Sequence, residues 1–186
     1  MGLYSISLYG LYFLLIITII YLISILIDAY KVMVWGYAPY IRSGKKIVNR
    51  ILQEVDFRDN SVVYELGCGD GRFIRELAKQ REINCIGYEY SLAPYLLAKL
   101  FNFFSRKKVK IYYKNFFNEN LSNADYVFCY LMPKPMEKLS KKFENELSPG
   151  AVIISNTFAI KNWRPKKVIE LKKRGVLSNK IYIYIK

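Results

Sequence analysis

The 186 residues contain no histidine. That absence excludes a Ser-His-Asp triad, a Cys-His nucleophile pair and any histidine-ligated metal. Cysteine is scarce: Cys68, Cys85 and Cys129 form an odd set without metal-ligand spacing. Neither a disulfide framework nor a zinc site fits, and no metal is expected. Reduced thiols in a cytosol-facing domain are the expectation. Charge is missing altogether from Met1 to Ile27. Internal repeats and low-complexity linkers are missing too, so nothing marks a second globular domain. With 53% hydrophobic and 24% charged residues, disorder is not the default, and the length suits one domain plus an appendage.

The uncharged start is the first positive feature. Leu8 to Ile27 is apolar-dominated, and as a helix it would span roughly 30 Å, the hydrocarbon thickness of a bilayer. A cleaved signal peptide would want a basic leader and a small-residue cleavage site, and neither is visible. The run is therefore expected to be one transmembrane helix. Its C-terminal flank carries Lys31, Arg42, Lys45, Lys46 and Arg50, whereas its N-terminal side has only the α-amino group. The positive-inside rule then makes the chain a single-pass membrane protein with its C-terminal domain cytoplasmic. Trp35, Tyr37 and Tyr40 read either as headgroup-level anchors or as the start of the domain.

The net charge of +14 sits wholly beyond that helix, where all 29 Lys and Arg lie. A basic globular part suits lipid headgroups, nucleic acid or an acidic protein surface, and equally a solvated lysine-rich exterior. No Arg-rich arm or nucleic-acid motif is present, so no nucleic-acid partner is expected. Nothing in the residues sets an oligomeric state.

Periodicity predicts a helix over Ser43–Leu52, then strands over 62–66, 83–89, 109–113, 125–130, 151–155, 168–172 and 180–185. Helices are expected between the earlier strands, over 72–80, 92–104 and from Pro133 to about Leu147, with proline in a tolerated first-turn position. Alternating strands and helices imply an α/β, Rossmann-like, doubly wound seven-strand sheet. The final two strands have no helix between them and must pair as an antiparallel hairpin. The expected division is 1–30 for the membrane anchor, 31–57 for a juxtamembrane segment and leading helix, and 58–186 for the catalytic domain.

The chemistry is concentrated in Val62-Val-Tyr-Glu-Leu-Gly-Cys-Gly-Asp-Gly-Arg72. Glycines let a backbone turn sharply and come close to a ligand, and the loop leaves the carboxyl end of the first strand, where open α/β sheets bind ligands. Glu89 ends the next strand, where an acid can accept both ribose hydroxyls of an adenosyl ligand. A dinucleotide site would show Gly-x-Gly-x-x-Gly, which is absent. With Glu65 two residues before the first glycine and Glu89 at the neighbouring strand end, the pattern resembles the Glu-x-Gly-x-Gly-x-Gly signature of S-adenosylmethionine (SAM)-dependent methyltransferases, whose architecture is a doubly wound sheet ending in such a hairpin.

The likeness runs further. Over residues 38–165 the chain resembles the small membrane-anchored protein-lysine methyltransferases of mitochondria, which act on ATP synthase or on the adenine nucleotide translocase, and still more their prokaryotic relatives. Ala38-Pro-Tyr40, Gly87-Tyr-Glu89, Tyr130-Leu-Met-Pro133, Phe158 and Trp163-Arg-Pro165 match that family's segments. The resemblance implies SAM as cofactor, bound by Glu65, Gly67, Cys68, Gly69, Asp70, Gly71, Glu89, Tyr90, Asn115 and Phe116. Asn115 stands where many relatives have Asp, implying amide recognition near the adenine. Asp70 can position the cofactor or cap the following helix. Tyr130, Met132 and Pro133 would line an acceptor pocket, walled by Phe158 and Trp163, and ordinary packing beside the sheet is the competing explanation for each. Tyr40 would fold over the site. Cys129-Tyr-Leu-Met-Pro133 departs from the Asn-Pro-Pro-Tyr motif of many amino-methylating enzymes. The resemblance implies N-methylation of a lysine in a membrane or membrane-associated protein. Methylation of a lipid or small lipophilic molecule, and non-catalytic SAM binding, are the alternatives.

Overall fold

The uncharged start folds as one long helix, α1 (Gly2–Trp35), in the computed structural model, which describes residues 2–35, 41–171 and 180–186. Ala38-Pro-Tyr40, Tyr37, Gly175 and Ser178-Asn179 lie outside the described residues, as does the side chain of Trp35. Within α1, Leu8–Tyr30 is long and apolar enough to cross a membrane, and its side chains lie almost entirely exposed. The two aliphatic hydroxyls in this stretch bond inside the helix. Thr18 Oγ1 donates to the Leu14 carbonyl (2.9 Å) and Ser24 Oγ to the Tyr21 carbonyl (2.8 Å). Such back-bonding satisfies both donors without water, as an apolar solvent requires.

The remainder follows the alternating pattern: α2 (Lys45–Glu54), β1 (Val62–Leu66), α3 (Arg72–Gln80), β2 (Asn84–Glu89), α4 (Leu92–Phe103), β3 (Lys110–Tyr113), a one-turn 3-10 helix over 116–118, β4 (Tyr126–Cys129), α5 (Pro133–Glu146), β5 (Val152–Asn156), β6 (Lys167–Glu170) and β7 (Lys180–Ile185). The seven strands form one sheet in the order β3-β2-β1-β4-β5-β7-β6. β1 to β5 run parallel, and β7 pairs antiparallel with both β5 and β6. The Rossmann-like sheet with a closing hairpin is thus as the sequence implied.

α2 differs from its expected span by two residues. Gly44 is extended and serves as N-cap, so the helix starts at Lys45. It runs on to Glu54, whose carboxylate pairs with Arg50 (2.7 Å) and with Lys167 of β6 (2.6 Å). Alternation along the strands sends side chains to two cores. On one face Val63, Phe128 and Ile154 pack with Val48 and Ile51 of α2, Phe73 and Leu77 of α3 and Ala98 of α4. On the other, Leu66, Val127, Ile153 and Tyr184 pack with Leu139 and Phe143 of α5. Cys85 and Cys129 are buried within these cores, and burial pushes each thiol up to about 12, so both stay neutral.

Chain order reverses at β1, which has β2 on one side and β4 on the other. The loops after β1, β2, β4 and β5 therefore meet at one rim, the position open α/β sheets use for ligands.

Candidate active site

The loop after β1 is built from left-handed backbone. Gly67, Gly69 and Gly71 have φ of 72°, 55° and 68°, a region that side chains rarely occupy. The bend is closed by backbone bonds: the Gly67 and Cys68 N–H groups both donate to the Tyr88 carbonyl (2.9 Å each), and Gly71 N–H donates to the Cys68 carbonyl (2.7 Å). Gly71 then caps α3.

Glu89, at the end of β2, clasps this loop. Its Oε2 accepts from Gly69 N–H (2.7 Å), and its Oε1 accepts from the N–H groups of Tyr90 (2.9 Å) and Ser91 (2.8 Å). Burial raises its carboxyl above the usual range, and those three donors act in the opposite sense. Glu65 is buried one strand away, accepting a long bond from Ile74 N–H (3.4 Å). Desolvation pushes its carboxyl well above the ordinary range, with Asp70 and Glu89 adding like-charge repulsion.

Asp70 does not cap α3 as an N-cap residue. Its carboxylate is held by Arg42 Nε (2.6 Å) and by the Arg72 N–H (3.2 Å), and its carbonyl accepts from the buried Arg75 guanidinium. Arg72 in turn donates to the Ser43 carbonyl (3.1 Å). Two contacts thus tie the segment following α1 to the glycine loop. Arg42 and Arg75 both face the ring of Phe101, at 5.7 Å and 5.4 Å from its centroid. Sequence reasoning did not connect these arginines to the loop, because Arg42 and Asp70 are distant in the chain.

The remaining residues predicted around the cofactor gather beside Glu89. The Tyr90 ring lies near that of Tyr113 (6.0 Å), Lys114 N–H donates to the Glu89 carbonyl (3.0 Å), and Asn115 Oδ1 accepts from Phe117 N–H (3.1 Å) above the buried Phe116. Cys68 is buried with its thiol raised well above normal, so it packs as a neutral apolar group.

Across the rim, the segment after β4 abuts the loop: a β-carbon on Gly67 would lie 3.0 Å from Leu131 Cδ2. The chain neighbours of Leu131 are half-buried Tyr130, which packs against the core under α2, α3 and α4, exposed Met132, and Pro133, the first residue of α5. Phe158 follows β5, its carbonyl fixed by Ser155 Oγ (2.6 Å). Trp163 is not brought to this group. Its Nε1 donates to Glu144 near the far end of α5 (3.1 Å), and its ring meets Tyr184 edge-on, near the opposite end of the sheet. The left-handed turn at Thr157 (φ 74°) and the Ile160 N–H bond to the Tyr184 hydroxyl (2.9 Å) direct the chain there. Asn156, unremarked in the sequence, ends β5 fully buried, and its Nδ2 finds no hydrogen-bond partner among the described residues. The polar Ser155-Asn-Thr157 run at the end of an apolar strand is the signal that could have flagged it.

Gly87 shows how tightly the loop is backed. A β-carbon there would lie 2.8 Å from Ile74 Cδ1 and 2.9 Å from Cys68 Sγ. Gly87→Ala should therefore cost about 1–3 kcal/mol of stability and displace Cys68. Thermal melting and SAM titration of the variant check this: a lower Tm with weakened binding is expected, and wild-type values in both would refute the close approach.

Known proteins show the same likeness. A family profile described as the ANTKMT methyltransferase domain matches residues 65–167. The chain is 32% identical over 152 residues to a protein-lysine N-methyltransferase of Saccharolobus islandicus (strain REY15A), covering 80% of this chain and 94% of that protein. It is 28% identical to the adenine nucleotide translocase lysine N-methyltransferase of Mus musculus over 70% of this chain, and spans little more than half (58%) of that relative. The crystal structure of an RNA methyltransferase from Salinibacter ruber in complex with S-adenosyl-L-homocysteine superposes with a TM-score of 0.71 at 26% identity, covering 78% of this chain and 93% of that one. Sheet order, glycine loop and these relatives define a SAM-dependent methyltransferase with the Rossmann-like fold. The chain belongs to the ANTKMT methyltransferase domain family.

Proposed function

We propose that this methyltransferase N-methylates a lysine of a membrane or membrane-associated protein, with α1 as a single-pass anchor and the catalytic domain on the basic, cytoplasmic side. The observation that carries the lysine reading is the likeness to the archaeal protein-lysine enzyme over nearly its whole length. The anchor reading is supported by the exposed apolar surface of Leu8–Tyr30.

The rim has the features SAM requires. The left-handed glycines leave backbone bare for a close approach, and Glu65 and Glu89 offer acceptors for an ammonium and for hydroxyls. Glu65, Gly67, Cys68, Gly69, Asp70 and Gly71 would hold the amino-acid end, and Glu89, Tyr90, Asn115 and Phe116 the adenosine. Glu89 already accepts three N–H bonds. A carboxylate has about four acceptor positions, so it has room for one ribose hydroxyl while it clasps the loop, rather than the two expected from sequence. When bound, SAM supplies an electrophilic methyl group on a sulfonium.

The protein's work is then to seat the amine, strip its water and let its proton go. An apolar surround lowers an amine pKa by desolvation. Tyr130, Met132, Pro133 and Phe158, which follow β4 and β5 on the rim that holds the glycine loop, would form such a surround.

The test is transfer of labelled methyl by the full chain to membranes of its expression host, followed by separation into protein, lipid and RNA. Label recovered as methyl-lysine in protein is expected. Label confined to lipid, or to RNA as the Salinibacter relative's name would suggest, overturns the lysine reading.

A further inference from the structure

Among the described residues, three of the domain's four α-helices present charged outer faces, as Glu76 and Lys79 do on α3. α4 does not. Pro94, Ala98 and Asn102 are buried against the sheet. Leu96, Leu97, Leu100, Phe103 and the C-cap Phe104 are exposed, the two phenylalanines by 71% and 75%. At about 100° per residue these five fall on one stripe, roughly opposite the buried one. A soluble helix normally places charge there, and a contiguous exposed apolar patch marks an interaction site.

The surroundings of the stripe are basic. Lys99, Arg106, Lys107, Lys108, Lys110 and Lys114 lie between Glu89 and Glu119, with no acid in that interval, and of these Lys107 is paired with Glu82 and Lys114 with Glu119. Lys108 caps the end of α4 by donating to the Asn102 carbonyl (3.0 Å) and to that of Phe103, and its ammonium sits 5.3 Å from the Phe103 ring centroid. Cations collected at the end of an apolar stripe suit a surface that is oily within and anionic at its rim. The position in the fold agrees. α1 lies against α4.

We infer that the outer face of α4, Leu96, Leu97, Leu100, Phe103 and Phe104, is a second membrane contact that seats the domain on an anionic bilayer surface beside the anchor. The inference rests on the reading of α1 as a membrane span. It gives the domain a fixed attitude to the bilayer, which a single helix alone does not provide. The glycine loop, linked to α4 through Phe101, would then be held at a set height above the lipid.

The full chain, reconstituted in phosphatidylcholine vesicles with or without phosphatidylglycerol, tests this. The native thiols are buried, so an environment-sensitive fluorophore can be placed at Leu97→Cys, Phe104→Cys, Lys138→Cys on α5 or Ile17→Cys in α1. Lipids with a quencher high on the acyl chain should remove most of the emission at 97 and 104, more so with phosphatidylglycerol, and leave 138 unchanged. Emission at 97 and 104 as insensitive as at 138 overturns the docking face. So does energy transfer between labelled copies in place of lipid quenching, which would assign the stripe to a second copy of the chain. Position 17 reports separately on the anchor: quenching there without quenching on α4 rejects only the present inference, and none there rejects the anchor. A Leu97→Glu, Phe104→Glu double variant should bind SAM normally yet lose the protection that phosphatidylglycerol vesicles give Arg106, Lys107 and Lys108 against trypsin. Equal protection of both proteins overturns the inference as well.

Discussion

Glu89→Ala is expected to weaken SAM binding at least about 100-fold, a cost near 3 kcal/mol, while the domain still folds. The carboxylate accepts from the N–H groups of Gly69, Tyr90 and Ser91. Removing it leaves Gly69 N–H without its acceptor in the middle of a left-handed bend. A buried unsatisfied donor costs about 1–3 kcal/mol. Tyr90 and Ser91 are half-buried and can turn to water, so the stability loss should stay near 1–3 kcal/mol. Glu89→Gln separates the two roles. Its amide oxygen can still serve Tyr90 and Ser91, but its NH2 would face the Gly69 N–H, donor against donor. That variant should therefore melt below wild type, as Glu89→Ala does, while keeping the Tyr90 and Ser91 bonds, and should bind poorly. Calorimetric titration with SAM beside thermal melting makes the test, and binding by Glu89→Ala within a few-fold of wild type would falsify the clasp.

Glu65→Gln should move stability and binding in opposite directions. Burial raises the Glu65 carboxyl well above its ordinary value of 4.5. The folded chain therefore keeps a proton there that the unfolded chain has released. Stability is full below the ordinary value and falls as pH rises towards the raised one. Glutamine has the shape of the protonated acid and does not titrate. The variant should thus match wild type in mild acid and melt higher than wild type as pH rises through that window. Its SAM affinity should fall about 30-fold or more, since an ionised Glu65 is the counter-charge available to the ligand's ammonium, and removing one partner of a buried pair costs at least about 2 kcal/mol. Wild-type affinity should rise with pH across the same window, and that of the variant should not. Melting curves that run parallel with pH, or an unchanged affinity, would remove Glu65 from the site.

The parts of the molecule that sequence made legible are those governed by local rules. β1, the glycine loop and α3 lie where the pattern put them, because a short β-branched and aromatic run, clustered glycines and an amphipathic nine-residue helix are short-range signals. The closing hairpin followed from the absence of a helical sequence pattern between the last two expected strands, and β6 and β7 do pair antiparallel. The features that were missed depend on distance in the chain. Arg42 reaches Asp70 across 28 residues, and nothing in either neighbourhood announces the other. The resemblance puts Trp163 on a pocket wall, with Phe158, in the segment after the fifth strand. Its direction depends on left-handed residues at Thr157 and Asn162, which no periodicity encodes. The outer stripe of α4 has ordinary helical spacing, and only the observed burial of Pro94, Ala98 and Asn102 reveals that its leucines and phenylalanines face outward.

The clasp made by Arg42 and Ser43 bears on how this enzyme is best handled at the bench. Removing the greasy helix is the obvious route to a tractable sample, and Lys45, where α2 begins, looks like the natural place to start. A chain begun there would lack both the guanidinium on Asp70 and the carbonyl that receives Arg72. It would report the properties of a loosened ligand loop, whereas a cut made ahead of Ile41 retains the fastening.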